Sequence, residues 1–177
     1  MILTTLTETE YIQAVHLGVQ QAMDALLSRR PGSHGISAAD NDSYDLRIRG
    51  VIGEYVIAKR LGLPWLSIQN PFSPMDFPGV DVKTPAEIGD PLIIRDNVDA
   101  SMRLILVTPG INRPLDWIIW GWITAAEGRQ VGRRTNFNKP DRETVFAVSH
   151  RFLHDLSDLV IPLGVSEDPR LLSTAGH

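Results

Sequence analysis

The sequence predicts an α/β fold, in which a single domain has a central mixed β-sheet flanked by helices. Two N-terminal segments repeat apolar residues at helical spacing, and short runs rich in Val, Ile and Trp follow. The order helix, helix, strands, helix is typical of this architecture. The 177 residues, 43% of them hydrophobic, suffice for one substantial core. We expect residues 1–45 to form an N-terminal helix and loop, 46–160 the core and 161–177 a peripheral tail.

The two N-terminal helices have recognisable ends. The first is predicted to start at the capping-box sequence TETE, Thr7 to Glu10, and to extend to about Ser28. The second is predicted to start near Asp45 and to end at Gly62, a residue type that favours the position after a helix. The polar segment between them, rich in Gly, Ser and Asp, predicts a surface loop.

The second half of the chain predicts strands and one more helix. The strand candidates are, in order, VDVKT, LIIR, RLILVT, WIIWGWI and TVFAV. A final helix is predicted to begin with Ser149 as its N-cap. Its buried residues would be Phe152, Leu153, Leu156 and Leu159.

Composition excludes several classes of protein. The chain has no cysteine, so it is not a disulfide scaffold. Its net charge of −4 argues against a histone-like protein that binds polyanions by charge alone. We find no secretory signal and no apolar run of the roughly 20 residues that a membrane span needs. We therefore expect a soluble, cytoplasmic protein with no membrane partner.

Two charged residues interrupt the first strand candidate, VDVKT. Side chains alternate along a strand, so Asp81 and Lys83 share one face while Val80 and Val82 share the other. The valines suit a core. The simplest explanation of the other face is an ion pair between two residues that lie two apart on a half-exposed strand.

The second predicted helix places a carboxylate in its apolar stripe. Glu54 lies at helical spacing with Val51 and Ala58, which should face the core. Such a glutamate either reaches outward to solvent or an arginine, or points into a site. Gly50 and Gly53 cost helix propensity, roughly 1 kcal/mol each, and predict close packing or a nearby ligand.

Asp76, Asp81 and Glu54 together predict a metal site. Clustered carboxylates repel one another unless protons or a cation neutralise them. Mg²⁺ prefers oxygen ligands and is usually held by one or two protein carboxylates together with waters and substrate phosphate. Beside such an ion, the Lys83 ammonium would orient a water molecule or stabilise negative charge in a transition state.

The segment GVIGEYVIAKRLG followed by MDFPGVDVKT resembles the PD-(D/E)xK nuclease superfamily, and most closely its small phage-encoded members. The resemblance covers about residues 48–123 and implies a restriction-endonuclease-like catalytic core that uses Mg²⁺, with Mn²⁺ as a substitute. On this resemblance Asp81 and Lys83 match the (D/E)xK element. Asp76 matches the preceding aspartate, Glu54 the helical glutamate, and the carbonyl of Val82 is a further metal ligand.

The implied function is that of an Mg²⁺-dependent endonuclease that hydrolyses DNA, with RNA as a second candidate substrate. We expect structure-directed or weakly sequence-specific cleavage in phage-type DNA metabolism, in the host cytoplasm if the gene belongs to a phage. A Holliday-junction resolvase, which would require a homodimer, and an exonuclease are alternatives within the superfamily. Another alternative is an inactive nucleic-acid-binding module with the same fold.

Basic residues supply candidate phosphate contacts. Arg133 and Arg134, together with Lys139, lie in the segment between the last two strand candidates. Arg47 and Arg49 lie at the start of the second predicted helix. Cationic side chains of this kind bind nucleic-acid phosphates, although each of them singly is better explained as part of a solvated surface.

Overall fold

The computed structural model describes residues 1–27, 41–63, 77–85, 87–137 and 143–161. Within these ranges the chain forms three helices, seven strands and two short 3₁₀ turns. The helices are α1 (Glu8–Leu27), α2 (Asn41–Leu61) and α3 (Ala125–Val131). The strands are β1 (Ile2–Thr5), β2 (Val80–Lys83), β3 (Leu92–Ile94), β4 (Arg103–Pro109), β5 (Asp116–Thr124), β6 (Arg133–Thr135) and β7 (Val145–Val148). The turns are η1 (His150–Phe152) and η2 (Leu156–Asp158).

The α/β class is confirmed, but the described strands form two sheets instead of one. The first sheet has the order β1-β5-β4-β2 and is mixed, because β2 runs parallel to β4 while the other pairs are antiparallel. The second sheet is antiparallel and has the order β3-β7-β6. Local patterns predicted the strands, but strand pairing depends on tertiary contacts that a single sequence does not display.

Strand β4 lies between two apolar layers. Its residues Leu104 to Thr108 are all buried. Ile105 and Val107 belong to a cluster with residues of α1 and α2, whereas Leu104 and Leu106 belong to a cluster with residues of β3 and β7. Because alternate residues of a strand point to opposite faces, the two long helices cover one face of the first sheet and the second sheet covers the other.

Strand β5 changes faces at a bulge beside Gly121. Ile119 packs in the helix-side cluster and Ile123 in the cluster between the sheets, although both residue numbers are odd. The register between β4 and β5 shifts between Leu106 and Val107, opposite Gly121. Gly121 has φ = +142°, a conformation that glycine adopts most readily. One extra residue at the bulge therefore inverts the inward face of the strand.

The start of α1 is fixed by the predicted capping box. Thr7 Oγ1 accepts from the Glu10 N–H at 3.3 Å, and Glu10 Oε2 accepts from the Thr7 N–H at 2.7 Å. The same Oε2 lies 2.6 Å from Lys59 Nζ, which also donates to the carbonyl of Thr5 at 3.0 Å. Partial burial raises the pKa of the Glu10 carboxyl, but hydrogen bonds from Lys59 and Thr7 hold it below its usual value. Lys59 thus ties α2 to β1 and to the start of α1.

The second helix begins earlier than predicted, at Asn41 instead of Asp45, and ends at Leu61 as the following glycine indicated. Gly62 has φ = +64°, the left-handed conformation of a helix-terminating residue. A Cβ atom at Gly18 would lie 2.7 Å from the Cα atom of Ile48, so α1 and α2 pack with close backbone contact. None of the helices in the described ranges is both long and apolar enough to cross a membrane.

The predicted C-terminal helix is wrong, because the chain forms η1 and η2 with residues 153–155 between them. In this extended segment, His154 pairs with Trp122 through two backbone hydrogen bonds of 3.1 and 2.8 Å. A continuous helix cannot make this bridge to β5. Ser149 makes no side-chain cap hydrogen bond, and Asp155 instead caps η2 by accepting from the Ser157 N–H at 3.0 Å.

Burial along this segment follows the two turns instead of a helix face. Leu156 is buried, whereas Leu153 and Leu159 are half-buried and Phe152 is exposed. Only Leu156 therefore has the fully buried position that the helix prediction gave to all four residues.

Three short elements, β1, α3 and β6, were not predicted. Helix α3 begins with a second capping box, in which Thr124 Oγ1 accepts from the Glu127 N–H at 3.2 Å. Glu127 Oε2 accepts from the Thr124 hydroxyl at 2.6 Å and from its N–H at 3.1 Å. His154 Nε2 lies 3.5 Å from the same carboxylate oxygen. Glu127 therefore connects the start of α3 with the extended segment after η1.

The Glu127 carboxyl is expected to make the stability of the fold depend on pH. Hydrogen bonds from the Thr124 hydroxyl and amide hold its pKa below the usual value. A lowered folded-state pKa adds stability above the unfolded value of about 4.3, and this contribution is lost as the pH falls through the folded-state pKa. In urea unfolding, Glu127→Gln should be less stable than wild type near about pH 5.5, with a smaller difference near about pH 3. An equal difference at both pH values would contradict this assignment.

Candidate functional site

A tight turn leads into β2. The N–H of Phe77 donates to the carbonyl of Val80 at 3.1 Å, and the N–H of Val80 donates back at 2.9 Å. Pro78 and Gly79 lie between them, and Gly79 has φ = +69°, as the third residue of a type II turn requires. The Pro-Gly pair in the sequence was the signal for this turn.

Asp81 and Lys83 lie in contact on β2, with Lys83 Nζ 2.6 Å from Asp81 Oδ2. Val80 and Val82 are buried, so the alternation of the strand is as expected. The Asp81 side chain is 16% exposed and the Lys83 side chain 36%. The pair is therefore reachable from solvent but partly shielded, which strengthens its electrostatic interaction relative to a fully exposed pair.

The face on which this pair lies follows from the strand register. Asp81 is the partner of Leu104 and Lys83 the partner of Leu106 in the parallel pairing of β2 with β4. Paired residues point to the same face of a sheet. Asp81 and Lys83 therefore lie on the face covered by the second sheet, whereas Val82 packs on the face covered by α1 and α2.

The backbone of Val82 points away from β4. Both backbone hydrogen bonds of Val80 go to Phe77, and the carbonyl of Gly79 accepts from the N–H of Arg103 on β4. Because backbone groups alternate sides along a strand, the Val82 carbonyl lies on the same outer side as that of Val80. In the described sheet β2 is an edge strand, so this carbonyl, which the family resemblance implies as a metal ligand, is directed toward that edge.

Helix α2 approaches the end of β2 at Gly53. A Cβ atom there would lie 2.2 Å from the Thr84 hydroxyl oxygen, so this glycine permits a contact that a side chain would prevent. At Gly50 no described atom lies within 4 Å of an ideal Cβ position, so the predicted close packing is not found there among the described residues. Glu54, adjacent to Gly53, is half-buried between the buried residues Val51 and Ala58, as its place in the stripe predicted.

Thr84 was not singled out from the sequence. Its hydroxyl oxygen is buried and has no hydrogen-bond partner, which is unusual for a buried polar atom. The residue directly follows Lys83 and contacts the helix that bears Glu54. No sequence signal distinguishes such a threonine, because its contact partner lies far away along the chain.

The structure thus brings Asp81 and Lys83 together on the face covered by the second sheet, whereas Glu54 lies on α2, which covers the opposite face; its neighbour Gly53 contacts Thr84 directly after β2. Asp76 lies outside the described residues. Among the residues that are described, no group of three His, Asp or Glu side chains is arranged to hold a metal ion.

No protein-family model, curated protein or solved structure matches this chain. Its chemistry must therefore be inferred from its own side chains.

The donor atoms near β2 are oxygens, the ligand type that a hard divalent cation prefers. The Asp81 carboxylate and the outward Val82 carbonyl are oxygen donors, and the chain has no cysteine that could supply a sulfur ligand. Mg²⁺ needs only one or two protein carboxylates when waters and substrate phosphate complete its coordination. Asp81, with Glu54 and Asp76 as the other candidate carboxylates, is therefore chemically suited to Mg²⁺.

The predicted phosphate-binding residues lie on different elements. Arg133 and Arg134 are exposed on β6, in the second sheet, whereas Asp81 lies in the first. Arg49 is on α2, hydrogen-bonded to Asp45 one turn earlier, and Arg47 is also on α2.

Arg134 lies 3.4 Å from Asp96, and its guanidinium carbon is 5.8 Å from the centre of the Phe146 ring. Lys139, the third member of the predicted basic segment, lies outside the described residues. The described members of the two predicted groups therefore lie on β6 and on α2, respectively.

Proposed function

We propose that the chain is a metal-dependent phosphodiesterase that cleaves DNA as an endonuclease. One observation carries the proposal: Asp81 and Lys83 are in contact on a strand that forms an edge of the described first sheet, and Gly53, the neighbour of Glu54 on α2, packs against Thr84 directly after that strand. A carboxylate beside an ammonium at an accessible sheet edge supplies a cation-binding group and a group that stabilises negative charge.

Each residue has a role in this proposal. Asp81 and Glu54, with Asp76, would hold Mg²⁺, and the carbonyl of Val82 would add a ligand. When bound, Mg²⁺ or Mn²⁺ supplies Lewis-acid polarisation of the phosphoryl oxygens. The Lys83 ammonium donates a hydrogen bond to the attacking water or to a phosphate oxygen and offsets negative charge there. The contact with Asp81 holds that ammonium in place before substrate arrives.

Substrate selection is proposed to be structure-directed or weakly sequence-specific. Most of the described residues belong to the two sheets and their covering helices, so substrate contacts made by these residues come from those elements and the turns between them. A homodimer that resolves four-way junctions would use the same chemistry, and so would an exonuclease. They differ in how substrate is presented and not in the groups that act on phosphorus.

The test is cleavage of labelled single-stranded, duplex, flap and four-way-junction DNA, and of RNA, with Mg²⁺, Mn²⁺ or EDTA. We expect cutting that requires metal, that co-elutes with the folded protein in gel filtration, and that a mock purification from cells without the gene lacks. The pattern of cut substrates then distinguishes an endonuclease, a resolvase and an exonuclease. If folded protein cuts none of these substrates with either metal, the proposal is wrong.

A second candidate is a nucleic-acid-binding module without catalytic activity. Two observations favour it: Asp81 already has a cationic partner, and no three-residue metal site exists among the described residues. A module of this kind would bind nucleic acid equally well with Mg²⁺ or EDTA and would leave every substrate intact.

A further inference from the structure

The second sheet and the turn after it carry arginines stacked on aromatic rings. The guanidinium of Arg134 lies over Phe146 at 5.8 Å, and that of Arg151 lies over Phe152 at 4.7 Å. Both distances are within the range of a cation–π interaction. Stacking restricts an arginine side chain, so less conformational entropy is lost when its outer N–H groups bind an anion.

These stacks lie along neighbouring parts of the fold. In the antiparallel pairing of β6 with β7, Arg133 is opposite Ala147 and Arg134 opposite Phe146. The start of β6 is therefore beside the end of β7, from which the chain passes directly into η1 with Arg151. In the described sheet β6 is an edge strand, so its side chains on both faces reach solvent.

Exposed aromatic rings accompany the arginines. Among the described large hydrophobic residues that are exposed, the two aromatic ones are Phe137, 41% exposed, and Phe152, 38% exposed. Phe137 lies two residues beyond β6 and has φ = +54°, a left-handed conformation that is uncommon for a bulky residue. Its N–H donates to Thr135 Oγ1 at 2.9 Å, which helps to hold this conformation. Strained, exposed residues of this kind are found disproportionately at functional sites.

We propose that these residues form a binding surface for single-stranded nucleic acid. This Arg–Phe ridge consists of Arg133, Arg134, Phe137, Arg151 and Phe152. The inference deepens the proposed function, because it names the form of substrate strand that the protein holds. Cationic groups that follow a phosphate backbone, interleaved with aromatic faces on which bases stack, are how single strands are bound without sequence preference.

The ridge suits a single strand better than a duplex or an acidic peptide. Bases of a duplex are stacked on each other and offer no free face to Phe137 or Phe152, whereas unpaired bases do. An acidic peptide would satisfy the arginines but leave these rings exposed. Asp96, 3.4 Å from Arg134, offsets part of the positive charge, so affinity that depends on charge alone would be weak here.

Fluorescence anisotropy with a labelled oligothymidylate tests the ridge in EDTA, where binding is measured without cleavage. We expect Arg134→Gln and Arg151→Gln to weaken binding and to lower the slope of log affinity against log salt by about 0.7 each. Phe152→Leu, which keeps an apolar side chain, should weaken binding about tenfold through lost stacking. Arg113→Gln, at an exposed arginine between β4 and β5, is the matched control and should bind like wild type.

The outcomes separate this inference from the proposed function. If the ridge variants weaken binding in EDTA and the wild type does not cleave in Mg²⁺, the ridge is supported and the nuclease proposal is contradicted. If the wild type cleaves DNA and the ridge variants cleave it equally well, the nuclease proposal is supported and the ridge is contradicted. Preference for duplex over single strand, or equal effects of Arg113→Gln and Arg134→Gln, would overturn the ridge as well.

Discussion

Asp81→Asn is expected to lower the single-turnover rate of metal-dependent DNA cleavage by at least about 100-fold, and Lys83→Met by a similar factor. A factor of 100 corresponds to about 2.7 kcal/mol of lost transition-state stabilisation. The first substitution keeps the shape of the aspartate side chain but removes the charge that attracts a cation. The second keeps the approximate length of the lysine but removes the ammonium that is proposed to bind the attacking water or a phosphate oxygen. Quenched-flow cleavage of an end-labelled substrate, at saturating protein, measures both rates.

The same two residues also form an ion pair, so loss of the pair must be separated from loss of a catalytic group. The exchanged variant, with Asp81→Lys and Lys83→Asp together, restores a pair of opposite charges on this strand face but reverses their positions. If the contact is only structural, the exchanged protein should be as active as wild type. We expect it to be as inactive as either single variant.

Two controls apply to these variants: their free energy of unfolding, and a substitution in a second ion pair. The free energy of unfolding of each single variant, measured in urea, should lie within about 1 kcal/mol of the wild-type value, because the pair is partly exposed. Glu143→Gln removes a carboxylate that lies 3.9 Å from Arg95, a pair that includes no proposed site residue, and should leave the cleavage rate unchanged. Wild-type cleavage rates in Asp81→Asn would contradict the proposed site.

Local sequence signals were sufficient for the parts of the fold that depend on nearby residues. The capping box at Thr7 and Glu10 placed the start of α1, and Gly62 marked the end of α2, because both act within one helical turn. Period-two alternation placed Asp81 and Lys83 on one face for the same reason. Strand β1 was missed because its burial runs against residue type, since Leu3 is exposed and Thr4 is buried.

Features that depend on distant residues could not be predicted. The C-terminal helix failed because His154 bridges to Trp122, a contact across 32 positions that no local pattern reveals. The approach of Gly53 to Thr84 likewise appears only once α2 and β2 are packed. The face of Asp81 relative to the helical layer depends on the pairing of β2 with β4, which the sequence does not specify.

Gly121→Ala is expected to destabilise the fold by at least about 3 kcal/mol. Gly121 has φ = +142°, which an alanine adopts only with strain. A Cβ atom there would also lie 2.2 Å from the backbone carbonyl oxygen of His154 and 3.0 Å from the Cβ atom of Leu153. The carbonyl belongs to the bridge with Trp122, so it can move away only if those backbone hydrogen bonds lengthen or break. Urea unfolding followed by far-UV circular dichroism gives the change in free energy.

Gly89→Ala is the matched control for Gly121→Ala, because Gly89 also has a positive φ but lacks the close contact with a neighbouring segment. Gly89 has φ = +97°, and no described atom lies within 4 Å of its ideal Cβ position, so only strain of about 1 kcal/mol is expected. The excess cost of Gly121→Ala over Gly89→Ala measures how firmly the segment after η1 is held against β5. Equal costs for the two variants would mean that the segment moves freely away from β5. In that case the bridge would not be what replaces the predicted helix with two turns.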